Sequence, residues 1–180
     1  MAPFYNNTTY GTVVHSAEGF KQKILANDGS DLASTTLATQ SALSIPLAGY
    51  ERVMGKYTIW YDSDDTNELK FAIKNLDSSA AAIATTIYTD VTARVEESTG
   101  ADTPAAANIE GTGTYSTDGA GEVVTIDVNA STSGLLLAVE FNALVTAATK
   151  GNLVFQAALI TGSASGTHLL AGSNVVYKKW

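Results

Sequence analysis

The 180-residue sequence contains no cysteine. Disulfides, thiolate metal centres and cysteine nucleophiles are therefore excluded, and stability must come from packing or from assembly. A cysteine-free chain also fits folding in a cytosol. Histidine is nearly as scarce: His15 and His168 are the only two, far apart in the chain. A lone histidine is more often a surface residue than a base. Charged residues make up 16% of the chain, against about a quarter in ordinary domains. No apolar run approaches the ~20 residues that cross a bilayer as a helix. The N-terminal MAPFYNNTTYGTVV lacks the basic and apolar regions of a signal peptide, so exit from a cell is expected by another route, such as lysis.

What is present is 45% hydrophobic residues set among Thr, Ser, Asn and Gly. Thr favours strands, and Gly and Asn favour turns, so this composition suits short strands joined tightly. The length allows one domain with a core, or a domain plus an arm. The net charge of −8 repels phosphate backbones, so nucleic acid is not an expected partner. Lys178 and Lys179 are the only adjacent basic pair.

Residues 1–31 read as an N-terminal arm. Tyr5 and Tyr10 stand among Asn6, Asn7, Thr8, Thr9 and Gly11, a polar and turn-rich setting that makes no core by itself. Either they anchor an extended arm on another surface or the terminus packs loosely. SAEGFKQKILA (16–26) is the most helix-like stretch, with Ser16 as cap and Phe20 and Ile24 on one face. From residue 32 onward, short apolar runs alternate with Gly, Asn, Asp and Ser. In 43–47, Leu43, Ile45 and Leu47 alternate, and Pro46 confines that strand to an edge or a bulge. YERVMGKYTIWYDS (50–63) and NELKFAIKNL (67–76) read as two strands of a hairpin joined through DSDDT. AAIATTIYTDVTARVEE (81–97) reads as one twisted strand or two with a bulge. Residues 98–122 read as a long loop with one short strand inside. EVVTIDVNA, GLLLAVEFNAL, GNLVFQAALITG and HLLAGSNVVYKKW complete the set. Eight or nine strands at regular spacing, without helical crossovers, predict an all-β antiparallel sandwich over 32–180.

Chemistry is thinly represented. There is no G-x-S-x-G elbow and no Walker loop, and GTGTYSTDGAG (111–121) lacks the lysine of a phosphate loop. Asp62, Asp64 and Asp65, with Asn67 and Glu68, are hard oxygen ligands of the type Ca²⁺ prefers. They lack the glycine and glutamate of a calcium-binding helix-loop-helix, so a solvated hairpin tip is the plainer reading and no metal is assigned. Glu96 with Glu97, and Asp62 with Asp64, invite comparison with glycosidase carboxylate pairs, and Trp60 and Tyr61 with sugar-stacking residues. Alternation turns one of those two aromatics inward. Neither a catalytic residue nor a cofactor is assigned, and the chain is not read as an enzyme.

Two stretches resemble structural proteins of tailed bacteriophages: STTLATQSALSIPLAGYERVMGKYTIWYDSDDTNELKFAIKNL and GNLVFQAALITGSASGTHLLAGSNVVYKKW. The resemblance covers residues 32–180 apart from the middle third. It implies a jelly-roll-like β-sandwich with an extended N-terminal arm, in a virion protein made in the host cytoplasm. It further implies a capsid decoration (cement) protein on the capsid surface, partnered by the major capsid protein and by itself as a homotrimer. A tail or fibre module binding a host glycan is the alternative, although neither a repeat nor a shaft is present. Phe4, Tyr5 and Tyr10 are then the expected interface residues, because aromatics carry much interface energy.

The segment LLAGSNVVYKKW (169–180) concentrates Val175, Val176, Tyr177 and Trp180. It reads as a turn, AGS, and a closing strand. Val175 and Tyr177 are expected on one face, with Trp180 continuing that face and sealing one end of the sandwich. Burial at a subunit contact is the other reading.

Overall fold

The computed structural model describes residues 6–8, 11–15, 19–63, 69–95, 107–110, 114–115, 124–128, 132–159 and 167–180. In chain order the strands begin with β1 (Asn6–Thr8), β2 (Gly11–His15), β3 (Lys21–Ile24), β4 (Ala38–Thr39) and β5 (Ile45–Leu47). Next come β6 (Arg52–Ser63), β7 (Leu69–Leu76), β8 (Thr85–Val95), β9 (Ala107–Glu110) and β10 (Thr114–Tyr115). The last five are β11 (Val124–Val128), β12 (Thr132–Val145), β13 (Gly151–Leu159), β14 (His168–Leu169) and β15 (Asn174–Lys179). All ladders are antiparallel. The larger sheet runs β1-β2-β3-β15-β6-β12-β8-β10, with β14 also on β6. The smaller runs β4-β13-β7-β11-β9, with β5 also on β13.

From β3 onward the chain changes sheet at nearly every step. β6 presents Val53, Tyr57, Ile59 and Tyr61 on one face, and β7 presents Phe71 and Ile73; all are buried. Strands of both sheets turn their apolar faces to one shared core. The expected β6–β7 hairpin is corrected: the two strands belong to different sheets. Rings fill the space between. Tyr57 meets Phe155 across the sheets at 5.4 Å and Phe141 beside it at 5.2 Å, and Phe155 stacks on Phe71 at 5.4 Å. Burial of each such side chain stabilises by about 1.5–3 kcal/mol.

Several expectations hold and several do not. β5 lies at the edge of its sheet, with Ile45 and Leu47 buried and Pro46 outward. A 3-10 turn at Ser41–Leu43 separates it from β4 on the same side of β13. β8 is one strand, in continuous register with β12. Two strands, β9 and β10, fall in the stretch expected to hold one. The segment expected as helix contains a strand instead: Lys21–Ile24 pairs with β15 from Lys21↔Tyr177 to Ile24↔Asn174. Gly19 has φ +79° just before it, and the open edge of β15 offers a full ladder, which outweighs a weak helical periodicity. β1 and β2 extend the same sheet beyond β3.

The closing segment runs along β6. His168 and Leu169 pair with Asp62 and Tyr61, and β15 pairs from Asn174↔Thr58 to Lys179↔Val53. Between them, Ala171–Ser173 bulge out and Gly172 takes φ +89°. The gap in the ladder is filled by a side chain. The Trp60 N–H donates to Ser173 Oγ at 2.9 Å, and the Ser173 hydroxyl donates to Trp60 O at 3.0 Å. β15 is thus an interior strand held by β6 and β3.

A basic and aromatic face as the candidate interaction site

Alternation places Arg52, Met54 and Lys56 of β6 on the outer face of the larger sheet, opposite Val53 and Tyr57. Register aligns them with outward positions on neighbouring strands. Arg52 lies across from Leu144, Met54 across from Asn142 and Lys178, and Asn142 across from Tyr88. Beyond β15, the Arg52 and Trp180 backbones exchange two hydrogen bonds, at 3.0 and 3.3 Å. The outer face at this end thus gathers Arg52, Met54, Tyr88, Leu144, Lys178 and Trp180.

Trp180 is 57% exposed, which corrects the expectation that it continues the Val175–Tyr177 face and seals one end of the sandwich. It stands three residues after Tyr177, an odd spacing, so the pleat turns it outward with Val176 and Lys178. Val175 and Tyr177 are buried as expected. Cations bracket the indole: the Arg52 guanidinium lies 5.6 Å from its centroid and Lys178 Nζ 5.8 Å. Lys178 also lies 5.5 Å from the Phe20 ring. Such contacts contribute about 0.5–1 kcal/mol each at exposed sites and hold the side chains in a defined arrangement. Arg52 Nε also donates to Asn142 Oδ1 at 3.2 Å.

The exposed large hydrophobics among the described residues are Tyr50, Met54, Tyr88, Leu144 and Trp180. The last four share this face, and Tyr50 stands two residues before the first residue of β6. Tyr50 is 69% exposed and has φ +58°, a left-handed backbone that a bulky residue seldom adopts. Its N–H donates to Ala147 O at 3.1 Å. Apolar and aromatic groups flanked by arginine and lysine have the composition of a protein-binding hot spot. The outward positions 52, 54, 88, 144 and 180 carry bulky groups where a solvated face calls for polar ones. That was the available sequence signal for this face.

The open side between the sheets is closed differently. Lys23 Nζ donates to Ser44 O, and Lys179 Nζ donates to Pro46 O and, at 3.1 Å, to Glu51 Oε2. These lysines cover carbonyls of the edge strand β5 and its approach, which blunts that edge against further pairing. Burial, and next the nearby Lys179 charge, lowers the Lys23 pKa. Beside Lys23 lies an open groove of about 530 Å³, lined among others by Ser41, Ser44, Asp77, Asn152 and Val154. Asp77 is committed to its own turn: it accepts from the Ser79 hydroxyl and from the Ser79 and Ala81 N–H groups, and these bonds hold its carboxyl below its ordinary pKa.

Of the residues singled out in the sequence, Asp62 is next to last in β6, with its Oδ2 4.0 Å from His168 Nε2, while His168 Nδ1 is 3.4 Å from Asp31 Oδ1. Asp64, Asp65, Glu68, Glu96, Glu97, Phe4, Tyr5 and Tyr10 lie outside the described residues. Among the described residues, no three His, Asp or Glu side chains group as a metal site. Tyr61 faces the core and Trp60 faces outward, half-buried, as alternation requires. Among the described residues, no helix is long and apolar enough to cross a membrane. Comparison of the chain with protein-family models, with curated proteins and with solved structures found no match.

Proposed function

We propose that this chain is a structural component of a tailed-phage virion: a capsid decoration, or cement, protein that binds the outer surface of the major capsid protein shell and stabilises the head as a homotrimer. The observation that carries this reading is the exposed basic and aromatic face around Arg52 and Trp180. A face of that composition on a packed β-sandwich is suited to protein docking. The strand orders β6-β12-β8-β10 and β5-β13-β7-β11 support a jelly-roll-like reading, because they interleave two Greek keys across two sheets. In this reading Phe4, Tyr5 and Tyr10 contact the shell, and the basic and aromatic face serves contacts between neighbouring subunits.

Quantitative mass spectrometry of purified virions tests the proposal by counting copies of this chain against the major shell protein. Copies in proportion to shell subunits are expected. A number limited to the fibres of one tail would instead favour the glycan-binding module, and absence from the particle would remove the virion reading.

A further inference from the structure

The charges of the described residues are unevenly spread along β6. Arg52 starts the strand and Lys178 pairs two residues along, at Met54; Lys150, just before β13, lies toward the same end, as does Asp77, which is held in its own turn. Lys179 there is neutralised by Glu51 at 3.1 Å. Among the described residues, neither Arg52, Lys178 nor Lys150 has a carboxylate partner. The opposite end of the strand is acidic. Asp62 lies there, with Asp31 beside His168, and Asp28, whose Oδ1 accepts from the Ala171 N–H at 2.8 Å. Lys70, next to the Leu69↔Leu159 pair, and Arg94, placed by register across β12 from Trp60, partly offset these carboxylates. Ten residues of strand set the two ends about 33 Å apart.

We infer that the basic and aromatic face receives the acidic end of a second copy of this chain in a head-to-tail contact. The inference rests on the assembly reading above and names the partner at that face. A two-fold contact through the same face would set Arg52 and Lys178 against their own copies, and like charges across an interface oppose association. The acidic end of another copy supplies the opposite sign. Trp180, Met54 and Leu144 supply the apolar centre around which such charges form a rim. A contact between two different surfaces is heterologous, so it closes into a ring, such as a trimer, when the rotation allows.

Sedimentation of the full chain at low and high salt is the first test. Oligomers at low salt that dissociate at high salt are expected, because exposed charge pairs are screened. Two variants then separate the surfaces: Arg52→Glu with Lys178→Glu at one end, and Asp31→Lys with Asp62→Lys at the other. Each alone should be monomeric and folded by circular dichroism. Mixed, they should form 1:1 dimers and nothing larger, because each keeps one intact end. Trp180→Ala and Asp31→Lys, both at exposed positions, serve as milder substitutes should a double variant not fold. A wild-type chain monomeric at both salts, variants that assemble like wild type, or a folded mixture that stays monomeric overturns the inference. Virion copy number reads the other proposal separately. Shells decorated by monomers would keep the function and remove this contact, and salt-sensitive rings from a chain absent from virions would do the reverse.

Discussion

Gly55 lies directly across the ladder from Phe141, and the Phe141 ring occupies the space a side chain at 55 would need. A Cβ on Gly55 would sit 2.8 Å from Phe141 Cζ and 2.9 Å from Tyr177 Cα, and would collide with Val176 O. The core of the larger sheet is thus built around a missing side chain in β6, between β12 and β15. Gly55→Ala should destabilise by about 1–3 kcal/mol, the usual cost of overpacking, despite the better strand propensity of alanine. Urea unfolding at neutral pH measures it. An unchanged midpoint would mean that Phe141 and β15 move aside freely.

Ser173 stands in for the ladder where β15 departs from β6. It is fully buried, and its hydroxyl both accepts from and donates to the Trp60 backbone. Ser173→Ala leaves the Trp60 N–H without that acceptor and should cost about 1–3 kcal/mol. A thermal melt compared with a Ser→Ala change at exposed Ser78 isolates the effect. Equal melting temperatures would show that water replaces the hydroxyl.

Removal of residues 175–180 should prevent soluble folding of the single chain. β15 is bonded on both sides, and Val175 and Tyr177 are core residues, so its loss opens the middle of a sheet. Expression followed by circular dichroism reads the result. A folded truncated chain that no longer assembles would assign the strand to an interface instead.

Alkaline pH should unfold the protein through its tyrosines. Burial, with Tyr177 next, raises the pKa of Tyr57; burial raises that of Tyr61; burial and then Glu51 raise that of Tyr177. A folded-state pKa above the unfolded value of about 10 means that stability is intact below pH 10 and lost as pH rises toward the folded value. Denaturant midpoints should be level from pH 7 to about 9 and fall above about 10. The tyrosinate absorbance of these residues should appear together with unfolding. Tyr57→Phe should flatten the alkaline fall. Reversible titration of every tyrosine near pH 10 in the folded chain would contradict this account.

Much of the fold was legible because strands declare themselves by a period of two. The alternation through Leu69, Phe71 and Ile73, the edge position marked by Pro46, and the burial of Val175 and Tyr177 all follow from local pattern. The failures have equally specific causes. Lys21–Ile24 has the spacing of a helix face, and only the free edge of β15, from the far end of the chain, makes it a strand. DSDDT has the composition of a hairpin turn, yet composition is silent on whether a turn returns to the same sheet or crosses the core.

The sequence by itself determined the class of fold, the antiparallel strands, most inward-facing residues and the absence of thiol chemistry, because each depends on residue type and on neighbours close in the chain. Only the tertiary structure decided which strands share a sheet, that β15 lies inside one, and that Arg52, Tyr88, Leu144 and Trp180 share one outer face. Those residues are brought together by ladders between distant segments. Such pairing is selected by competition among all available edges for a common core, and no local stretch of sequence carries that information.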